Sequence, residues 1–205
     1  MKKFELTNEF VTNMFGTKLF RIRALVEFGD VEAGELGGYV EKESNLGHDD
    51  NAWVYGDARV YDNALVYDNA RVYGDAQVSG DAQVSGDARV YDNARVYGDA
   101  WVYGDAWVYG NALVCGNARV CGDALVCGDA RVCGNGDYAY AHGFGSVNRT
   151  TTFFRLKDGG VGVRCGCFYG TLAQFRDKIR ETHGETKKAQ EYLMLADLMK
   201  LRFEK

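Results

Sequence analysis

From Asn51 to Cys133 the chain holds one period without an insertion: fourteen valines, Val54 through Val132, recur at every sixth residue. Each hexad reads Gly or Asp, then Asp or Asn, then Ala, a variable residue, Val, and finally Tyr, Ser or Cys. Side chains alternate faces along a strand, so Ala and Val point one way while the variable residue and the closing Tyr, Ser or Cys point the other. The Gly-Asp, Gly-Asn and Asp-Asn pairs accept positive φ or bond to nearby backbone, which makes every hexad a short strand followed by a corner. One such unit cannot bury its Ala–Val pair, but stacked units can, and the result is a solenoid with a continuous core. The chain contains no proline, as expected where strands are hydrogen-bonded on both edges. A valine kept at every sixth position also separates this segment from Gly-rich low-complexity sequence.

These hexads resemble those of hexapeptide-repeat left-handed β-helix proteins. The resemblance implies three hexads per coil, a triangular section and a left hand. Folded that way, one outward face carries Trp53, Arg71, Arg89, Trp107 and Leu125; a second carries Arg59, Gln77, Arg95, Leu113 and Arg131; a third carries Leu65, Gln83, Trp101 and Arg119. Tyr55, Tyr73, Tyr91 and Tyr109 form a column at another outward position, read as ladder packing. Cys115 and Cys133 fall on adjacent coils, with Cα atoms expected about 4.8 Å apart, inside disulfide range, and thiols expected reduced in the cytosol.

The flanks suit end caps, which an open stack of strands needs. Residues 1–36 read as an N-terminal strand and cap, with Phe20 to Ala24 alternating apolar and basic. Residues 37–146 read as the repeat helix, beginning in degenerate hexads from Gly37 to Leu46 and a loop at Gly47 to Asp50, and closing with Tyr138 and Phe144 in a terminal coil. Residues 147–205 read as a cap. In it, Thr150 to Leu156 and Val161 to Phe168 flank a hairpin turn, and Thr171 to Gln174 is a capping box opening a helix that ends at Gly184. A second helix runs from about Lys187 to Arg202 with Tyr192, Leu195, Ala196 and Met199 on one stripe, widened by Leu198 and Leu201. The fold class is therefore mainly β, a single-stranded parallel β-helix with a small C-terminal α+β appendage. The blocks Gly37 to Glu43, Thr151 to Arg155, Cys165 to Phe168 and Thr182 to Gly184 resemble hexapeptide-repeat proteins of bacteriophages and prophages.

Hexapeptide acyltransferases share the resemblance but use a histidine at a cleft between subunits, whereas the stretch from residue 50 to 141 has none; His48, His142 and His183 all lie in the flanks. Three scattered histidines do not supply a metal triad either, and Cys165-Gly166-Cys167, read as two thiols on one strand face, is better explained as small-residue packing than as a metal site with His183. The corner column Asp57, Asp75, Asn93, Asn111 and Asp129 is read as turn chemistry rather than calcium ligation. No cofactor or metal is expected. A net charge of -5 argues against duplex DNA or an anionic membrane as partner. The polar N-terminus and the lack of eighteen consecutive apolar residues point to a cytoplasmic protein, in the host cytoplasm if phage-encoded.

The outward positions carry what the fold leaves free. Trp53, Arg71, Arg89, Trp107, Arg59, Arg95, Arg131, Trp101 and Arg119 combine stacking surface with guanidinium groups, which suits subunit interfaces and anionic planar ligands alike. The expected function is non-enzymatic binding by a homo-oligomer, a trimer by analogy, acting as a counter-defence or accessory protein that captures a small phosphate-bearing, nucleotide-like ligand between subunits. A scaffold or inhibitor that binds a host protein is the first alternative, and an acyltransferase dependent on His142 or His48 the second.

Overall fold

The computed structural model describes residues 2–144 and 149–204. The chain begins with an antiparallel hairpin of β1 (Phe4–Thr12) and β2 (Lys18–Ala24). β2 then pairs antiparallel with β3 (Leu36–Val40), which joins the repeat stack in parallel, Tyr39 beside Arg59 and Val40 beside Val60. Leu46 bridges to Val66 in the same sense. The degenerate hexads are therefore a true first coil, and the loop from Gly47 to Asp50 spaces Leu46 eight residues from Val54 rather than six.

Among the described residues, fourteen two-residue strands follow, β4 to β17, running from Trp53–Val54 to Arg131–Val132. Their register is that of an 18-residue coil: Trp53 lies beside Arg71, Val54 beside Val72, and Arg89 beside Trp107. The Trp53 N–H donates to the Ala70 carbonyl at 3.1 Å and the Tyr55 N–H to the Val72 carbonyl at 2.8 Å, and each coil repeats this pair. Alanine and valine rows from Ala52 to Val132 are buried throughout and form one core, as the alternation of strand faces requires. The result is a parallel β-solenoid of about five turns.

Each corner needs left-handed backbone at the first residue of the hexad, where Gly is the usual occupant, as at Gly74 with φ +69°. Asp62, Asp68 and Asp92 take the same conformation at φ +57° to +58°. Their carboxylates accept the N–H of the glycine one coil on: Gly80, Gly86 and Gly110, at 3.0 to 3.2 Å. Local bonding of this kind is what makes Asp tolerable there.

Both ends of the stack are satisfied by side chains. At the N-terminal end the buried Lys3 ammonium donates to the Ala52 and Asp50 carbonyls at 2.9 and 3.3 Å, and the buried Asn45 amide donates to Asp62 and Ala64 carbonyls. At the other end the Leu125 N–H donates to Thr152 Oγ1, the Arg119 N–H to Asn135 Oδ1, and the Cys133 and Gly134 N–H groups to Asp137 Oδ2.

The expected terminal coil at Tyr138 and Phe144 does not form. After Asp137 has capped the last corner, Tyr138 still packs in the solenoid core, but its strand β18 (Tyr138–Phe144) pairs antiparallel with β19 (Arg149–Arg155) rather than in parallel with a preceding coil. β19 pairs with β20 (Val161–Cys165), which pairs with β21 (Phe168–Thr171). The expected boundary at 146/147 falls outside the described residues. β19 is a shared wall, because Phe154 packs into the solenoid core while its neighbour Phe153 packs under the helices. Cys165 and Cys167 are not on one strand face: Gly166, at φ +57°, turns the chain between β20 and β21, leaving Cys165 half-buried and Cys167 exposed.

The hydroxyl of Thr171 accepts the Gln174 N–H, and the Gln174 side chain accepts the Thr171 N–H in return, opening α1 (Leu172–His183), which Gly184 ends. α2 (Lys187–Phe203) packs Tyr192, Leu195, Ala196, Met199 and Phe203 against Phe175 and Ile179 of α1, and Arg176 pairs with Asp197 across the two. Leu198 and Leu201 do not widen the buried stripe; they are 55% and 70% exposed, because one helical neighbour covers only one side of α2. Among the described residues, no helix is long and apolar enough to cross a membrane.

Candidate functional site

The three outward faces diverge around the prism, so the nine Trp and Arg positions do not form one site. Trp53 leaves the set altogether. It is fully buried, with its ring edge-on to Phe4 and Phe28 at centroid distances of 6.1 and 5.3 Å, and Gly37 has no Cβ because one would stand 2.7 Å from the indole. The N-terminal cap covers the first coil of that face, which turns an outward position into core. Arg71 is also committed: its guanidinium pairs with Asp30 at 2.8 Å, and Asp30 accepts the Tyr55 hydroxyl as well.

Further along the same face, Arg89 and Trp107 do meet. The guanidinium carbon lies 4.9 Å from the indole centroid, and Trp107 sits edge-on to Tyr91. Tyr73, Tyr91 and Tyr109 stack in parallel, with centroids 4.8 and 4.9 Å apart and planes within 2°. Burial first, and then the neighbouring Tyr73, push the Tyr91 phenol up to about 12, so the ladder is neutral near physiological pH.

The C-terminal sheet closes over this stretch. Arg149 and Thr150 of β19 and His142 of β18 reach the edge where Arg89 and Trp107 lie, and together with Asp87, Asp105, Asp123 and Leu125 they line an open cleft of about 670 Å³. His142 Nδ1 is 2.9 Å from Thr150 Oγ1 and 3.5 Å from an Asp123 carboxylate oxygen. A Cβ at Gly166 would collide with the Arg149 guanidinium, so the glycine turn makes room for that side chain. Among the described residues neither Arg89 nor Arg149 is ion-paired, and no cluster of His, Cys, Asp and Glu is arranged to hold a metal.

On the second face Arg59 and Arg95 line a separate cleft of about 390 Å³ beneath the tip of the β1–β2 hairpin, where Met14 and Phe15 are exposed. Arg131 lines another with Arg155 and Lys157. The third face pairs Arg119 with Trp101 at 5.4 Å.

The coils are similar to the YdcK beta-solenoid repeat. That family model matches residues 52–67, 64–80, 82–94, 88–104 and 94–110, all within the stack that presents Arg71, Arg89 and Trp107. No curated protein matches the chain. The YdcK-like segment ends before His142 and Arg149, so the residues that complete the cleft come from outside the matched repeats. Nothing in the hexad period announces Arg149, which reaches the cleft on β19, the strand antiparallel to β18.

The remaining histidines are structural in their surroundings. His48 stacks on Phe4 at 4.5 Å and accepts the Lys3 N–H, and burial lowers its pKa. His183 lies over Tyr192 at 6.0 Å.

Proposed function

We propose that the protein is a non-enzymatic binding protein that self-associates, as a trimer by analogy with hexapeptide β-helices, and captures a nucleotide-like anion in the cleft built by Arg89, Trp107 and Arg149. The observation that carries this reading is the guanidinium of Arg89 on the Trp107 ring with Arg149 across the same cleft, neither ion-paired among the described residues. A half-buried indole with two cations beside it offers stacking and charge-assisted hydrogen bonds to phosphate. The column Asp87, Asp105 and Asp123 borders the cleft and would repel a bare anion. A ligand that suits both halves carries hydrogen-bond donors, such as sugar hydroxyls and base amino groups, beside its negative charge. The counter-defence role belongs to this reading, since holding such a ligand without turning it over would remove it from the host's signalling pool.

The test is calorimetric titration of the wild type and of Arg89→Ala/Trp107→Ala with cyclic and linear nucleotides, with oligomer mass read by native mass spectrometry. The double variant should bind at least tenfold more weakly, about 1.4 kcal/mol. Loss of the oligomer in the variant, with no nucleotide bound by the wild type, would sink the capture reading and leave these side chains as an interface.

A second reading, a scaffold that binds a host protein, is favoured by the third face, where Leu65 is 39% exposed and Trp101 and Arg119 lie on the same sheet. Pull-down with Trp101→Ala as control distinguishes it.

A further inference from the structure

We propose that the hollow between α1 and the C-terminal sheet is a second binding site, which shares Arg149 with the Arg89–Trp107 cleft, for a small amphipathic anion: an aromatic or medium-chain carboxylate. Its floor is apolar, made by Phe168 of β21, Phe175 and Ile179 of α1 and Tyr192 of α2. Its mouth carries the cations Arg149 and Lys178, with the His183 ring beside them. Among the described residues no carboxylate lines it.

The hollow measures about 300 Å³, at the lower end of ligand pockets, which run from about 300 to 1,000 Å³. Lys178 shares its charge with Glu181 at 3.0 Å on the outer side of the helix, whereas Arg149 is not ion-paired among the described residues. His183 is held over the ring of Tyr192. Burial, with Cys165 beside it, pushes the Tyr192 phenol up to about 12, so the floor carries no negative charge near neutral pH. Inorganic phosphate would leave the apolar floor unused, an uncharged molecule would leave the mouth unused, and a long lipid chain would not fit.

The test uses benzoate and octanoate, each against its alcohol, benzyl alcohol and octanol, titrated into the full chain by calorimetry. Each acid should bind at least tenfold more tightly than its alcohol. Thr182→Trp places an indole at the exposed rim and should abolish benzoate binding; Ile179→Trp, which fills the floor, should do the same, with helix content checked by circular dichroism. Arg149→Gln should erase the preference for acid over alcohol. Equal affinity for acid and alcohol, benzoate binding unchanged in a folded Thr182→Trp protein, or no benzoate bound by the wild type at millimolar concentration would overturn the proposal. Nucleotide titration of Thr182→Trp separates the sites, since binding at the Arg89–Trp107 cleft does not depend on that rim.

Discussion

Lys3 Nζ lies 2.9 Å from the carbonyl oxygen of Ala52, and through that contact a charged side chain closes the apolar end of the solenoid. The same ammonium stands 4.6 Å from the Phe28 ring, with Asp49 and Asp50 close by. Burial outweighs those carboxylates and lowers its pKa from 10.5 to about 8.

That shift sets a pH dependence. Between pH 8 and 10.5 the unfolded chain holds a proton on Lys3 that the folded chain has released, so stability rises with pH across this window, by up to about 1.4 kcal/mol per pH unit. Tyr55 and Tyr91, both pushed up to about 12, act in the opposite sense only above about pH 10, where unfolded tyrosines ionise. Urea midpoints at pH 8, 9 and 10 should rise more steeply in the wild type than in Lys3→Met. Parallel curves would show that Lys3 is not the group responsible.

Cys115 and Cys133 stack on adjacent coils with Cα atoms 4.3 Å apart, and the structure joins them as a disulfide. The expected stacking of this pair on adjacent coils holds. Peptide mapping after mild oxidation should find this pair linked first, with the buried Cys127 protected from alkylation. A Cys121–Cys127 crosslink would contradict the 18-residue coil.

Val90 is fully buried between Val72 and Val108. Val90→Asp places a carboxylate there with no partner and should cost several kcal/mol, seen as loss of a single cooperative melt. Val90→Ala leaves only a small cavity and should melt cooperatively at a lower temperature. Wild-type melting of the Asp variant would rule out the valine row as the interior.

Asp92 holds left-handed backbone at φ +57° and accepts the Gly110 N–H at 3.2 Å. Asp92→Ala keeps the strain and removes the acceptor, so it should destabilise by about 1–2 kcal/mol, whereas Asp92→Gly relieves the strain and should stay near wild type. Denaturant unfolding of the two variants decides it; equal losses would mean the backbone at this corner does not matter.

The hexad period by itself determined the interior. Alternation of side chains along a strand leaves Ala and Val no direction but inward, and Gly-Asp and Asp-Asn corners leave the chain no course but a turn every six residues. Local signals also sufficed for α1, whose capping box and closing glycine act within a few residues of one another. What only the tertiary structure decided depends on segments far apart in sequence. Trp53 occupies the same hexad position as Trp107, yet it is core because Phe4 and Phe28 cover it, while Trp107 stays half-buried beneath Arg89. Tyr138 keeps the six-residue phase and packs in the solenoid core, yet its strand pairs antiparallel with β19 instead of adding a coil. Arg149 reaches the cleft only because β18 and β19 fold back along the prism. Hexad phase says which way a side chain points; what then stands in front of it is set by long-range packing of the two caps.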